Sequence, residues 1–177
     1  MRLAFTGKRE HGKTTCAEFT GITTCLHHTT AMRSALYTGL RSVGLIADHE
    51  DLFGKMKHPL IARIYQLLGE YERAKDPDIF VKVLCNQIDK AYVENGSLAV
   101  DDVRFPNEAN ALRARGFVIV RVVRPGYISS DGRDPNHITE TEMDLIEPDY
   151  TIINDGDLRK LRSEVEYVVS AIEVRGK

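Results

Sequence analysis

Gly7-Lys8-Arg9-Glu10-His11-Gly12-Lys13-Thr14 fits G-x-x-x-x-G-K-[ST] and directly follows the apolar run Leu3-Ala4-Phe5. The chemistry this spacing serves is polyphosphate binding. Its glycines let backbone N–H groups converge on an anion, and the helix that follows presents its positive end to the same charge. Lys13 is placed to neutralise β- and γ-phosphates, and Thr14 to offer a hydroxyl to Mg²⁺. Gly7, Lys8, Gly12, Lys13, Thr14 and Thr15 therefore form a candidate triphosphate cradle; the bland alternative is a glycine turn with an exposed lysine.

A second set of chemically capable residues follows the apolar run Leu98-Ala99-Val100, which reads as a strand buried on both faces. Its end carries Asp101-Asp102-Val103-Arg104. An apolar strand ending in acid is how phosphate-loop proteins hold Mg²⁺, directly or through water. Asp102 is the chosen metal ligand with Thr14, because it begins the run Asp-Val-Arg-Phe-Pro-Asn-Glu, while Asp101 is assigned to solvent or to capping a turn. Both acids as plain turn carboxylates is the competing view. The Arg104 guanidinium suits bidentate phosphate binding; a surface ion pair with Asp101 or Glu108 is its rival.

Elements must bring these sets together. Short apolar runs alternate with amphipathic segments, the pattern of an α/β domain with a mainly parallel sheet. Strands are expected at 3–6, 26–30, 98–100, 117–123 and 150–153, and helices at 13–21, 31–43, from Pro59 to the polar turn around 75–78, at 79–93, 106–115 and 158–173. In open α/β sheets ligands bind beyond the carboxyl ends of the strands, so Asp101, Asp102, Arg104, Arg124, Asn154 and Asp155 should gather near the phosphate loop. The polar stretch 124–147 exceeds an ordinary connection and suggests a lid or binding loop.

Composition bounds the rest. The 177 residues fit one domain, 1–177, with a sizeable core, and the net charge of -2 argues against a nucleic-acid polymer as partner. Cys16, Cys25 and Cys85 show no metal spacing and are expected as buried thiols, Cys16 with a reactive alternative because it lies beside the loop. Adjacent His27 and His28 point to opposite faces of a strand and make a poor metal pair. The chain opens directly into a strand and has no apolar run of membrane-spanning length, so a cytoplasmic protein without a membrane partner is expected.

Taken in order, Gly7 to Thr14, Leu67-Leu68-Gly69, Asp76-Pro77-Asp78-Ile79-Phe80-Val81, the run from Asp102 to Ala109, His137-x-Thr139-Glu140 and Asn154-Asp155-Gly156 resemble the deoxynucleoside monophosphate kinases of bacteriophages, in the P-loop nucleotide-kinase group. The resemblance runs from Arg2 to about Val168 and implies a three-layer P-loop NTPase fold of about five strands with a lid-like insertion. It implies an enzyme that moves a phosphoryl group from ATP, with Mg²⁺, to a deoxynucleoside 5′-monophosphate, in the host cytoplasm if phage-encoded. An acceptor-binding helical region is expected at about 31–95 and the lid at about 124–147.

Phosphoryl transfer requires cations around the anion. Lys13, Arg104, Arg63 and Arg73 are the candidates, with Arg124 or Arg133 from the lid; Arg63 is equally readable as an exposed charge pairing with Glu70 or Glu72. Tyr65, Tyr71 or Phe80 are candidates to stack on the acceptor base, against a core role, and the resemblance adds Asn107, Glu108, His137 and Glu140 on the substrate side. Glu140 has a helix-capping alternative. Asn154, Asp155 and Gly156 fall where related kinases shelter adenine, against a simple Asp-Gly turn. Two departures stand out: Met32-Arg33-Ser34-Ala35 replaces an Asp-Pro-Leu-Lys-like run, leaving Arg33 as the basic substitute, and Glu70-Tyr71-Glu72-Arg73 replaces Thr-Glu with a later arginine. The rival functions are a kinase of another small phosphorylated metabolite, such as phosphomevalonate, and a non-catalytic ATP-binding switch; the assembly is left open between monomer and homodimer.

Overall fold

Apolar runs flanked by polar turns become the strands of one parallel sheet, and the amphipathic segments between them become the helices that cover it. A computed structural model describes residues 1–22, 25–26, 38, 41–42, 44, 59–95, 97–128 and 137–175. Among these, five strands are present: β1 (Arg2–Thr6), β2 (Cys25–Leu26), β3 (Leu98–Val103), β4 (Val118–Val123) and β5 (Tyr150–Ile153). Their order is β2-β3-β1-β4-β5, and every neighbouring pair is parallel.

The helices are α1 (Lys13–Phe19), α2 (Pro59–Lys75), α3 (Ile79–Asn95), α4 (Pro106–Arg113), α5 (Ile138–Thr141) and α6 (Leu158–Arg175), with a 3₁₀ turn at Glu142–Leu145. Two apolar clusters occupy the two faces of the sheet. Leu84 and Ile88 of α3 and Ala109 and Leu112 of α4 pack on Ala4, Leu98, Val100 and Ile119. On the other face, Cys16 and Ala17 of α1 and Leu161, Val165 and Val168 of α6 pack on Leu3, Phe5, Ala99, Val120 and Ile152. Burying a side chain of this kind contributes about 1.5–3 kcal/mol relative to leaving it in water. This is the expected three-layer α/β arrangement.

Four differences from the sequence reading bear on the site. Asp101, Asp102 and Val103 lie inside β3 instead of following it. Register explains the extra length: Ala4 pairs with Val100 and Thr6 with Val103, so Phe5 faces the two residues Asp101 and Asp102. Such a bulge lets two consecutive side chains reach one end of a sheet, where strict alternation would send them apart. Helix α4 stops at Arg113, two residues early, and its N-terminus is held by Glu108, whose Oε2 accepts the backbone N–H of Arg104 (2.8 Å) and of Phe105 (3.1 Å).

The third difference lies in 124–147. Met143 and Ile146 are buried in the core, and Arg121 donates from Nη2 to the Met143 carbonyl (2.9 Å) and to the Ile146 carbonyl, so residues 137–147 are part of the packed body. A lid-like role is thereby confined to the earlier part of that stretch, of which 129–136, with Arg133, lie outside the described residues. The fourth is β2, described at Cys25–Leu26 where 26–30 was expected; His27, His28, Arg33 and most of the helix expected at 31–43 also lie outside the described residues.

Candidate active site

The phosphate loop leaves β1 at Gly7 and enters α1 at Lys13. Both of its motif glycines are required by close approach. A Cβ on Gly7 (φ +135°) would sit 2.2 Å from the Val122 carbonyl oxygen, and one on Gly12 (φ +100°) 2.8 Å from Asn154 Nδ2. The loop is thus pressed on the ends of β4 and β5. Asn154 Nδ2 donates to the His11 carbonyl (2.9 Å), and the Arg124 N–H donates to His11 Nδ1 (3.1 Å). Burial lowers the His11 pKa, opposed by hydrogen bonding to the Val122 carbonyl and reinforced by Lys13.

Lys13 lies under the loop, where Nζ donates to the carbonyls of Gly7 (2.8 Å) and Lys8 (3.0 Å) and stands 3.9 Å from Asp102 Oδ1. Burial pulls its pKa down to about 8, Arg104 acts in the same direction, and Asp102 and Glu140 oppose them. The Lys8 side chain itself reaches outward, 3.8 Å from Asp144.

The carboxylate that meets Thr14 is Asp101. Thr14 Oγ1 donates to Asp101 Oδ2 (2.8 Å), and Asp101 is buried within β3, where the sequence reading had it solvated or capping a turn. Asp102, chosen from sequence as the metal ligand, instead accepts from Arg104 Nε at 2.7 Å. Arg104 is held a second time, by Nη1 to Glu140 Oε1 at 2.5 Å. Burial opposes its charge, but Asp102 and Glu140 outweigh burial and raise the guanidinium pKa above its ordinary value. Its ion-pair partners are therefore Asp102 and Glu140, whereas the rival ion-pair reading of the sequence named Asp101 or Glu108.

Several acceptor-side candidates have structural engagements. Arg73 lies between the rings of Phe80 (4.4 Å) and Phe105 (3.9 Å), with Nη2 3.6 Å from Glu108 Oε1. Phe80 is buried in that stack, and Glu108 caps α4. Asn107 Nδ2 donates to the Pro77 carbonyl (3.1 Å) and Asp78 Oδ1 (2.8 Å), fastening α4 to the turn between α2 and α3. His137 caps α5, accepting the Thr139 N–H at 3.2 Å, and its Nε2 contacts Glu70 Oε1 of α2 at 2.6 Å. Arg63 is exposed on α2, and the Tyr65 side chain lies outside the described ones.

Beside the loop opens a cavity of about 470 Å³ lined by Glu10, Gly12, Thr15, Arg124, Asn154, Gly156, Asp157, Leu158 and Leu161. Arg124 lies over the Tyr127 ring (4.3 Å), and the Tyr127 hydroxyl donates to Glu10 Oε2 (2.8 Å). Asp155 pairs with Lys160 (2.7 Å) at the exposed rim. Sequence reasoning missed the Tyr127–Glu10 pair and His11: a tyrosine after a strand and variable loop positions carry no motif signal. Cys16 is fully buried, and burial pushes its thiol up to about 12, both of which oppose the reactive alternative at neutral pH. No cluster of three or more metal-binding His, Cys, Asp or Glu side chains occurs among the described residues.

A family model for deoxynucleotide monophosphate kinase matches residues 26–165. The chain belongs to this family. Its matched span begins after the phosphate loop, so the loop adds an independent signal. The deoxynucleotide monophosphate kinase of enterobacteria phage T4 is 37% identical over 73 residues, covering 41% of this chain and 29% of that protein. That of Escherichia phage RB69 is 39% identical over 70 residues, covering 40% and 27%. The chain matches less than a third of the length of these curated family members.

Proposed function

We propose that this chain transfers the γ-phosphoryl group of ATP to a deoxynucleoside 5′-monophosphate. A phosphate oxygen of the acceptor attacks the γ-phosphorus, the bond to the β–γ bridging oxygen breaks, and ADP leaves with the electron pair. The observation that carries this reading is the 2.8 Å contact between Thr14 of the phosphate loop and Asp101 at the end of β3, which joins two separately read motifs into one site.

The residues fit Mg²⁺ by donor chemistry: a hydroxyl and a carboxylate, both hard oxygens, suffice for an ion that fills its remaining positions with water and phosphate oxygens. Thr14 and Asp101 would hold it. When bound it supplies charge neutralisation at the β- and γ-oxygens. Loop amides and Lys13 orient and neutralise the triphosphate, and Arg104 faces the transferring group from the β3 side. The cavity between Arg124 and Gly156 takes adenine, with Arg124 and Leu158 beside it. Arg63, exposed on α2, is the cation of that helix assigned to the acceptor.

The test is a coupled ADP-release assay with dAMP, dGMP, dCMP, dTMP and mevalonate phosphate. Turnover with at least one deoxynucleotide is expected. Turnover with mevalonate phosphate alone, or with none, overturns the reading.

A further inference from the structure

Glu140 sits where a substrate contact would be expected, yet both of its oxygens are engaged within the protein. Oε1 accepts from Arg104 Nη1 (2.5 Å) and Oε2 from the backbone N–H of Arg9 in the phosphate loop (3.3 Å), with the side chain only 12% exposed. A carboxylate beside incoming phosphates repels them, so direct phosphate contact is the wrong task for it. Holding a guanidinium is the right one. Asp102 grips Arg104 at Nε and Glu140 at Nη1, and two charge-assisted contacts on different nitrogens fix the plane of a rigid fork.

The anchor is itself fixed. Glu140 is on α5, whose N-cap His137 contacts Glu70 of α2, and the following turn buries Met143 and Ile146. Its two contacts span β3 and the phosphate loop.

We infer that Glu140 is a positioning residue, which holds the Arg104 guanidinium in register with the phosphate loop and makes no contact with substrate. This rests on the phosphotransfer reading for its kinetic consequence, though not for the geometry.

The test compares Glu140→Ala, Glu140→Gln, Arg104→Ala and the double variant Glu140→Ala/Arg104→Ala. Misplacing a group by about an ångström costs on the order of 100-fold in rate, so Glu140→Ala should lower kcat by about that factor with KM for both substrates little changed. Glu140→Gln keeps a carbonyl acceptor of the same size and should recover about tenfold of the loss. The double variant should be no slower than Arg104→Ala alone, because Glu140 acts through that arginine. Additive losses, or a raised KM for the monophosphate at unchanged kcat, would make Glu140 a substrate contact and overturn the inference.

A second readout needs no turnover. The Arg104 Nη1–H resonance, on the nitrogen that Glu140 accepts from, should be resolved and slow to exchange in the native protein and exchange faster in Glu140→Ala; an unchanged rate overturns the inference. If the native protein phosphorylates no monophosphate, the proposed function fails by itself, and this resonance still decides the role of Glu140.

Discussion

Lys13 carries a conflict between folding and function that pH can expose. Burial, with Arg104 nearby, brings its pKa from the ordinary 10.5 to about 8. The unfolded chain binds that proton more tightly, so the folded protein bears the cost of a buried ammonium in full below pH 8 and is relieved of it as pH rises from about 8 toward about 10.4. The proposed function runs the opposite way, because phosphates at Lys13 favour the charged form. The kcat/KM for Mg·ATP should fall above pH 8, approaching about tenfold per pH unit, with the kcat limb at higher pH because bound phosphates favour the ammonium. A kcat/KM profile flat to pH 10 would remove Lys13 from the phosphate site. The neighbouring acids show what a sequence can and cannot give at this level. Adjacent aspartates after an apolar run were legible as a pair, but which of them meets Thr14 depends on a bulge opposite Phe5, and a bulge leaves no trace in residue pattern.

Among the elements, the three helices α2, α3 and α4 meet at Arg73. Its guanidinium lies between Phe80 and Phe105 and faces the buried Glu108, which also caps α4. Removing the cation strips two ring contacts and leaves Glu108 with less compensation for its burial. Arg73→Ala should therefore destabilise folding by about 2–4 kcal/mol in urea titrations, discounted for the arginine's partial exposure, while the KM for the monophosphate stays within about threefold. A large rise in KM with intact stability would return Arg73 to the substrate. The helices themselves were legible from three-to-four spacing of apolar residues and from Pro59, Pro106 and Gly116 as start and stop signals. What escaped was the work done between elements. Arg73, Asn107, Glu108 and His137 look like ligand-binding residues because they are polar and belong to motifs, and only packing shows that they fasten one element to another. Residues 137–147 escaped for a related reason: Met143 and Ile146 are two apolar residues in a polar stretch, too few to set a period.

Across the molecule, the segments that meet the phosphate loop all lie at the carboxyl ends of the strands: the loop after β1, the end of β3, the turn after β4 with Arg124, the turn after β5 with Asn154, and α5 with Glu140. Each piece is tied to the loop by contacts of its own, so a ligand that fills the cradle braces segments separated by most of the chain. Binding to the folded state alone must then raise its stability as a whole. With Mg·ATP at about a hundredfold above its Kd, linkage supplies roughly 2.7 kcal/mol, which for a domain of this size corresponds to about 5–11 °C in Tm. Lys13→Ala removes the buried cation without touching the apolar clusters, so its ligand-free Tm should stay within about 3 °C of the native protein's, while its shift with Mg·ATP falls below about 2 °C. Scanning calorimetry of both proteins with and without nucleotide reads all four values. An equal nucleotide-dependent shift in the two would place ATP binding somewhere other than the loop, and the coupling of strand ends to ligand drawn from these contacts would fail with it.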